Sequence, residues 1–363
     1  MSKRIFIIAG ESSGDIYGSY LINLIKQTAP STVIEAWGGD KMQAAGATIR
    51  THIKELSIMG IVEVIKNIPK IRKLIVKCKG EIKQFQPDAV IFIDYPGFNL
   101  RMAKWVKRHG IRTIQYISPK VWAWNESRVK TIAAVIDCLI CIFPFEVEFY
   151  SKHGIKALYF GNPLCKLIAE KKHFPLDRKT SLPSVGIMPG SRKQELNYMM
   201  PVLVDFINTN HDFEFHIGQM SMISRDLYLI DQVTNPNVHF VLDRPNDVIA
   251  GSTVMINTSG TITLETLLYK KPQVVVYKAH KLGYLLFKQL VNLPYISLPN
   301  IIAQRYIVKE LIQHEFSITN LSDELRQLLN HSTNLGVEKV LEDLEVKEEK
   351  LLVEYLLTEK KVT

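Results

Sequence analysis

Short apolar runs recur along the chain, each followed by a longer stretch with helical spacing. RIFIIAG (4–10) predicts a strand and Ile16 to Gln27 a helix; VIEAWGG (33–39) predicts a strand and Asp40 to Ala45 a short helix. DAVIFID (88–94), RTIQYIS (112–118) and CLICIF (138–143) are strand-like, with amphipathic stretches at Leu100 to His109 and Glu126 to Ala134 between them. Strands that are apolar throughout are buried on both faces, the pattern of a parallel sheet covered by helices. After Gly161-Asn162-Pro163 the pattern breaks. Residues 166–182, KLIAEKKHFPLDRKTSL, are charged and without sustained period, as a linker would be. Alternation then restarts with SVGIMPG (184–190), FEFHIG (213–218), VHFVL (238–242), STVMIN (252–257) and PQVVVY (272–277). Two successive α/β units of Rossmann-like type are expected, 1–165 and 183–335. Charged helices at 336–363, with Leu341, Leu344, Leu351 and Leu352 for contact, pack back on a domain.

A length of 363 residues agrees with two cores, and 47% hydrophobic with 22% charged residues excludes a disordered chain. Of four cysteines, Cys138 and Cys141 form a C-x-x-C, but inside an apolar run without a second pair or a nearby histidine, so a buried structural role is expected. No metal site is expected from the scattered histidines. The most apolar stretch, Thr131 to Phe145, carries Asp137 and Pro144 and falls short of a membrane span, and no secretory leader is expected. A formal net charge of +9 points to an anionic partner: nucleic acid, a membrane surface or a phosphorylated small molecule.

In open α/β sheets ligands bind beyond the carboxyl ends of the strands. The loops there are AGESSGD (9–15), FIDYPGFN (92–99), YISPKVWAWNESR (116–128), MPGSRKQE (188–195) and NTSGTITLE (257–265). In MPGSRKQE the chain turns at Gly190 and Ser191, and Arg192 offers a planar cation for phosphate. In NTSGTITLE, Ser259, Gly260 and Thr261 open a helix whose free N–H groups favour an anion, with Glu265 one turn on for ribose hydroxyls. The pair suggests a nucleotide diphosphate site. There is no Walker A motif, and the first strand leads into GESSG rather than a dinucleotide fingerprint. Asp94 at a strand end suits either a general base or a turn cap. Trp122 and Trp124 could stack on bases or a sugar, or fill an interface; with no basic-aromatic pattern elsewhere, nucleic acid is not favoured.

Residues 56–83, LSIMGIVEVIKNIPKIRKLIVKCKGEIK, are first apolar and then basic. Ile58, Met59, Ile61 and Val62 could receive an acyl chain, and Lys70, Lys73 and Lys77 recur at helical spacing as on a helix lying against an anionic membrane face.

The ordered blocks AGESSGD, LSIMGIVEV, FIDYPGFNL, YISPKVWAW, PFE (144–146), PGSR, SGTITLE and SLPN (297–300) resemble the lipid-A-disaccharide synthases, from about residue 4 to about residue 312. The resemblance implies a GT-B glycosyltransferase, two Rossmann-like domains facing across a cleft, condensing UDP-2,3-diacylglucosamine with 2,3-diacylglucosamine 1-phosphate to a β-1,6-linked disaccharide phosphate and UDP. It implies inversion, no metal and no cofactor beyond the UDP-sugar donor, and a place at the inner face of the cytoplasmic membrane of a Gram-negative bacterium. On this sequence it puts the base at Asp94, with Glu11 a second catalytic candidate. Ser191, Arg192, Ser259, Gly260, Thr261 and Glu265 fall to the donor nucleotide, as do Asn300 and Arg305 after a strand YISLPN; Ser13, Asp15 and Asn99 fall to the acceptor side. Gly97 and Asn162 stand where many members have aspartate and histidine. Homodimer formation through the C-terminal helices is a further expectation. Another enzyme of the fold using UDP-N-acetylglucosamine, an epimerase or a transferase to a polyprenyl-linked acceptor, and a non-catalytic nucleotide-sugar or lipid-binding protein are the alternatives; a base at Asp94 separates the last from the enzymes.

Overall fold

The computed structural model describes residues 2–56, 68–124, 126–280, 284, 294–330 and 335–358. Two compact units result, one of residues 1–167 with 344–363 and one of residues 168–343.

The first unit is built on a seven-stranded sheet ordered β3-β2-β1-β4-β5-β6-β7. The strands are β1 Arg4–Ala9, β2 Val33–Gly38, β3 Thr48–His52, β4 Ala89–Ile93, β5 Arg112–Tyr116, β6 Cys138–Cys141 and β7 Ala157–Tyr159, all paired in parallel. The second unit has six parallel strands ordered β10-β9-β8-β11-β12-β13: β8 Ser184–Met188, β9 Glu214–Gln219, β10 Val238–Leu242, β11 Val254–Thr258, β12 Gln273–Tyr277 and β13 Lys309–Ile312. Every residue of β4 and β11 is buried, because helices cover both faces of these central strands. One core gathers Phe6, Trp37, Phe92, Phe98 and Tyr150, the other Phe206, Phe215, Tyr228, Val254 and Val274.

Three expectations are corrected. Residues 166–182 are no free linker, since the second unit takes most of them up: the Phe174 N–H donates to Asp247 (3.0 Å), the Lys179 N–H to Glu214 (2.7 Å), and Leu176 lies over Gly251. The C-terminal helices are shared out. Helix Leu335–Leu344 ends at the division, whereas Glu349–Leu357 joins the first unit, where Arg112 donates to the carbonyls of Tyr355 (2.7 Å) and Leu356 (3.1 Å) at its end. YISLPN is not a strand: Ser297 precedes helix Leu298–Ala303, and Pro299 sits in its first turn, where a missing N–H costs nothing. Cys138 and Cys141, three apart on β6, point to opposite faces of the sheet and are buried.

Candidate active site

In the first sheet β1 leads to β2 on one side while β4 lies on the other, so the loops after β1 and β4 part at the point where strand order reverses. ESSGD and Asp94-Tyr95 are those loops. They fit closely: a Cβ built on Gly10 would lie 2.4 Å from the Tyr95 ring. Asp94 and Tyr95 both hold left-handed backbone (φ 43° and 47°), unusual for side chains of this size and the kind of strain found at functional sites. Asn99, fully buried, sustains the turn by donating from Nδ2 to the carbonyls of Ile93 (3.2 Å) and Asp94 (2.8 Å). It supports the loop rather than offering its amide N–H groups to a ligand. Burial pushes the Asp94 carboxyl above the usual range; the Lys120 ammonium draws it back, and the Glu11 charge pushes it further up. A partly shielded carboxylate whose pKa is raised toward working pH is a better proton acceptor.

Glu11 stands exposed at the head of helix Ser12–Thr28, whose first turn receives no side-chain cap, and Ser13 is exposed in that turn. Asp15 does not join them. Its carboxylate, 5% exposed, accepts from the backbone N–H groups of Gly39 (2.7 Å), Met42 (3.1 Å) and Lys41 (3.2 Å), and so caps helix Asp40–Ala44. Two residues to which the sequence assigned no role lie in neighbouring loops. Lys120, after β5, is electrostatically coupled to Asp94, and Glu146, after β6, is a fully buried carboxylate with four donors, two of them from the Lys120 loop.

In the second sheet the reversal lies between β8 and β11. The PGSR and SGT loops leave these two strands side by side. Gly190 has φ +126°, and a Cβ there would lie 2.8 Å from Glu195 Oε2. The Glu195 carboxylate accepts from the Ser191 N–H (3.1 Å) and from Arg192 Nη1 (3.1 Å), so the two positions assigned to the diphosphate already hold an anionic oxygen pair. Ser259 donates to the Ile296 carbonyl (2.6 Å), Gly260 has open space around it, and Thr261 begins helix Thr261–Leu268 with no side-chain cap. Glu265 lies one turn on; burial raises its pKa, and Lys171 opposes that.

Asn300 is not available to a donor. Buried completely, it donates to the Val308 carbonyl (2.9 Å) and Glu310 (2.7 Å) and accepts from the Ile307 (2.8 Å) and Val308 (2.9 Å) N–H groups. Arg305 follows helix Leu298–Ala303, its guanidinium beside Gly336, where a Cβ would lie 3.1 Å from Nη2.

The family model for lipid-A-disaccharide synthetase matches residues 5–360. The chain belongs to the lipid-A-disaccharide synthetase family. A lipid-A-disaccharide synthase of Trichlorobacter lovleyi is 34% identical over 340 residues, covering 90% of this chain and 88% of its own. Among solved structures, the UDP-GlcNAc 2-epimerase of Neisseria meningitidis bound to UDP-GlcNAc (TM-score 0.61, 12% identity, 98% of this chain and all of that one) and the calicheamicin glycosyltransferase (TM-score 0.61, 12% identity, 98% and 97%) share the fold. Family membership makes the chain a glycosyltransferase of lipid A biosynthesis with a GT-B fold.

The two positions expected to depart from the family pattern differ in kind. Gly97 faces open space, while Asn162 is buried, donating to the Ile142 carbonyl (3.2 Å) and accepting from the Leu164 N–H (3.0 Å). Lys70, Lys73 and Lys77 are exposed on helix Ile68–Phe85, whose Leu74, Cys78, Ile82 and Phe85 enter the core; Lys77 also pairs with Glu55 (3.3 Å). The neighbouring helix Pro96–Arg108 adds exposed Arg101, Lys104 and Arg108. Ile58, Met59, Ile61 and Val62 lie outside the described residues. Among those described, no helix is long and apolar enough to cross a membrane.

Two scattered histidines do meet. His216 and His239 stack in register on β9 and β10, with Glu214 beside them. Burial pushes the Glu214 carboxyl up, but hydrogen bonds from Lys179, Thr180 and His239 outweigh it and leave it at about 2. With Arg178 also 3.6 Å away, this carboxylate serves to tie residues 178–180 to the sheet.

Proposed function

We propose that the chain transfers the glucosamine unit of UDP-2,3-diacylglucosamine to the 6-hydroxyl of 2,3-diacylglucosamine 1-phosphate, giving the β-1,6-linked disaccharide phosphate and UDP with inversion. Asp94 takes the proton of the attacking hydroxyl as O6 bonds to the anomeric carbon from the face opposite the nucleotide. The bond from that carbon to the diphosphate breaks and its electron pair leaves with UDP. The negative charge gathering there needs fixed positive partners, which the open N-terminus of helix Thr261–Leu268 offers, together with Arg192 and the Ser191 N–H once the diphosphate takes the place of the Glu195 carboxylate on them; Glu265 faces ribose hydroxyls. In this reading no metal or further cofactor is called for. Glu11 and Ser13 serve the acceptor. The exposed lysines of helix Ile68–Phe85 rest on an anionic membrane face, from which both acylated substrates are drawn.

The observation that carries the reading is Asp94: a carboxylate at the strand-order reversal, on strained backbone, with its pKa raised by burial. Purified protein given both substrates in detergent should form the disaccharide, with the new anomeric proton showing the large coupling of a β-linkage. UDP binding without product would leave a nucleotide-sugar-binding protein instead.

A further inference from the structure

Glu146 is 1% exposed, and a carboxylate so far from water is costly unless its oxygens are filled. They are. Oε1 accepts from Ser118 Oγ (2.6 Å) and Trp122 Nε1 (3.0 Å), and Oε2 from the backbone N–H groups of Ile142 (3.2 Å) and Phe143 (3.1 Å). One oxygen thus grips the loop after β5 and the other the loop after β6. The β5 loop needs holding, because it starts with Ile117 at φ 68°, a conformation a β-branched side chain rarely adopts. Tyr150 adds a hydrogen bond to the Pro119 carbonyl (3.3 Å) and Gln115 one to that of Ile117 (3.0 Å). Between the gripped residues Ser118 and Trp122 stands Lys120. Ile93 and Tyr116 are register partners on β4 and β5, so Asp94 and the β5 loop leave the sheet level with each other.

We propose that Glu146 is a positioning residue of the transfer reaction, the buried anchor that holds Lys120 toward the Asp94 carboxylate. The ammonium offsets the Glu11 charge and the burial of Asp94, so that the base stays ionised where the enzyme works. The proposal rests on Asp94 as the base for its effect on turnover, but not for its effect on the titration of Asp94.

The test is the titration of Asp94 followed by carbon-13 NMR of labelled aspartate carboxyls, with Asp94→Asn to assign the signal, alongside the pH profile of kcat/KM. Glu146→Gln, which turns an amide toward four donors, should move the Asp94 titration to higher pH, as Lys120→Met does, and the double variant should move it no further. The acidic limb of kcat/KM should rise in step, with a loss of about tenfold or more below it. Where Glu146→Gln fails to fold, Ser118→Ala and Trp122→Phe each remove one grip while leaving the carboxylate paired, and should shift Asp94 in the same direction. An Asp94 titration unmoved by the Glu146, Ser118 and Trp122 changes while Lys120→Met moves it would overturn the proposal. A shifted titration with an unmoved kinetic limb would uphold the anchor and instead remove Asp94 as the base.

Discussion

Gly10→Ala isolates the contact between the two loops of the first unit. The added Cβ would lie 2.4 Å from two atoms of the Tyr95 ring and 2.7 Å from a third, about 1 Å short of ordinary contact. The ring therefore has to give by about that distance. It cannot do so alone, since Tyr95 and Asp94 form the same left-handed turn, pinned from behind by Asn99. Overpacking of this kind costs about 1–3 kcal/mol, visible as a lowered denaturation midpoint. A base displaced by about 1 Å costs on the order of 100-fold in turnover. UDP affinity, which the proposed function assigns to loops of the other unit, should stay as in the wild type. Gly97→Ala serves as control: it lies two residues past Tyr95, where a Cβ meets nothing within 4 Å, and should leave turnover intact. Disaccharide formation by the two variants, measured beside UDP titration and urea unfolding, decides the matter. Full turnover in Gly10→Ala would mean that the register of these two loops does not set the position of the base.

As the proposed base Asp94 must be ionised, so activity should fall as pH drops through its raised pKa; Glu11→Gln removes a charge that raises it and should shift the acidic limb of kcat/KM to lower pH, and a shift upward would contradict the coupling. Asn300→Ala removes the acceptor of two backbone N–H groups, those of Ile307 and Val308, at about 1–3 kcal/mol for each group left unpaired, while the Glu310 carboxylate keeps its bonds from Ser297; the midpoint of thermal unfolding should fall sharply while the KM for the donor holds, and a raised KM at normal stability would restore Asn300 to the donor site. Changing Lys70, Lys73 and Lys77 to Glu should weaken binding to anionic vesicles by about 1 kcal/mol or more per residue, and undiminished binding in a sedimentation assay would remove the membrane role of that helix.

The two α/β units were legible because their central strands are unbroken apolar runs, a pattern that few arrangements other than a covered parallel sheet produce. Of the edge strands only β10, VHFVL, was legible; β3, β7 and β13 were not. TIRTH at β3 and KELI at β13 are short and half polar, and burial on one face leaves no run to see. Loops after strands were found by position, and Asp94, Arg192 and Thr261 each follow the carboxyl end of a strand. Which side chain in such a loop stays free was beyond local reading. Asp15 finds its donors 24 to 27 residues away, and Asn300 spends its amide within ten residues on a turn that could have been read as open. Glu146 escaped for the same reason: its partners Ser118 and Trp122 lie in the loop after the neighbouring strand, 28 and 24 residues away, where sequence distance carries no signal. His216 and His239 became neighbours only through strand register.

The most direct test of the account is disaccharide formation by Asp94→Asn, a change that keeps the shape of the turn and removes the base. Turnover lost by several orders of magnitude, with UDP still bound at wild-type affinity, is the predicted result; turnover within about tenfold of wild type would show that the proton goes elsewhere.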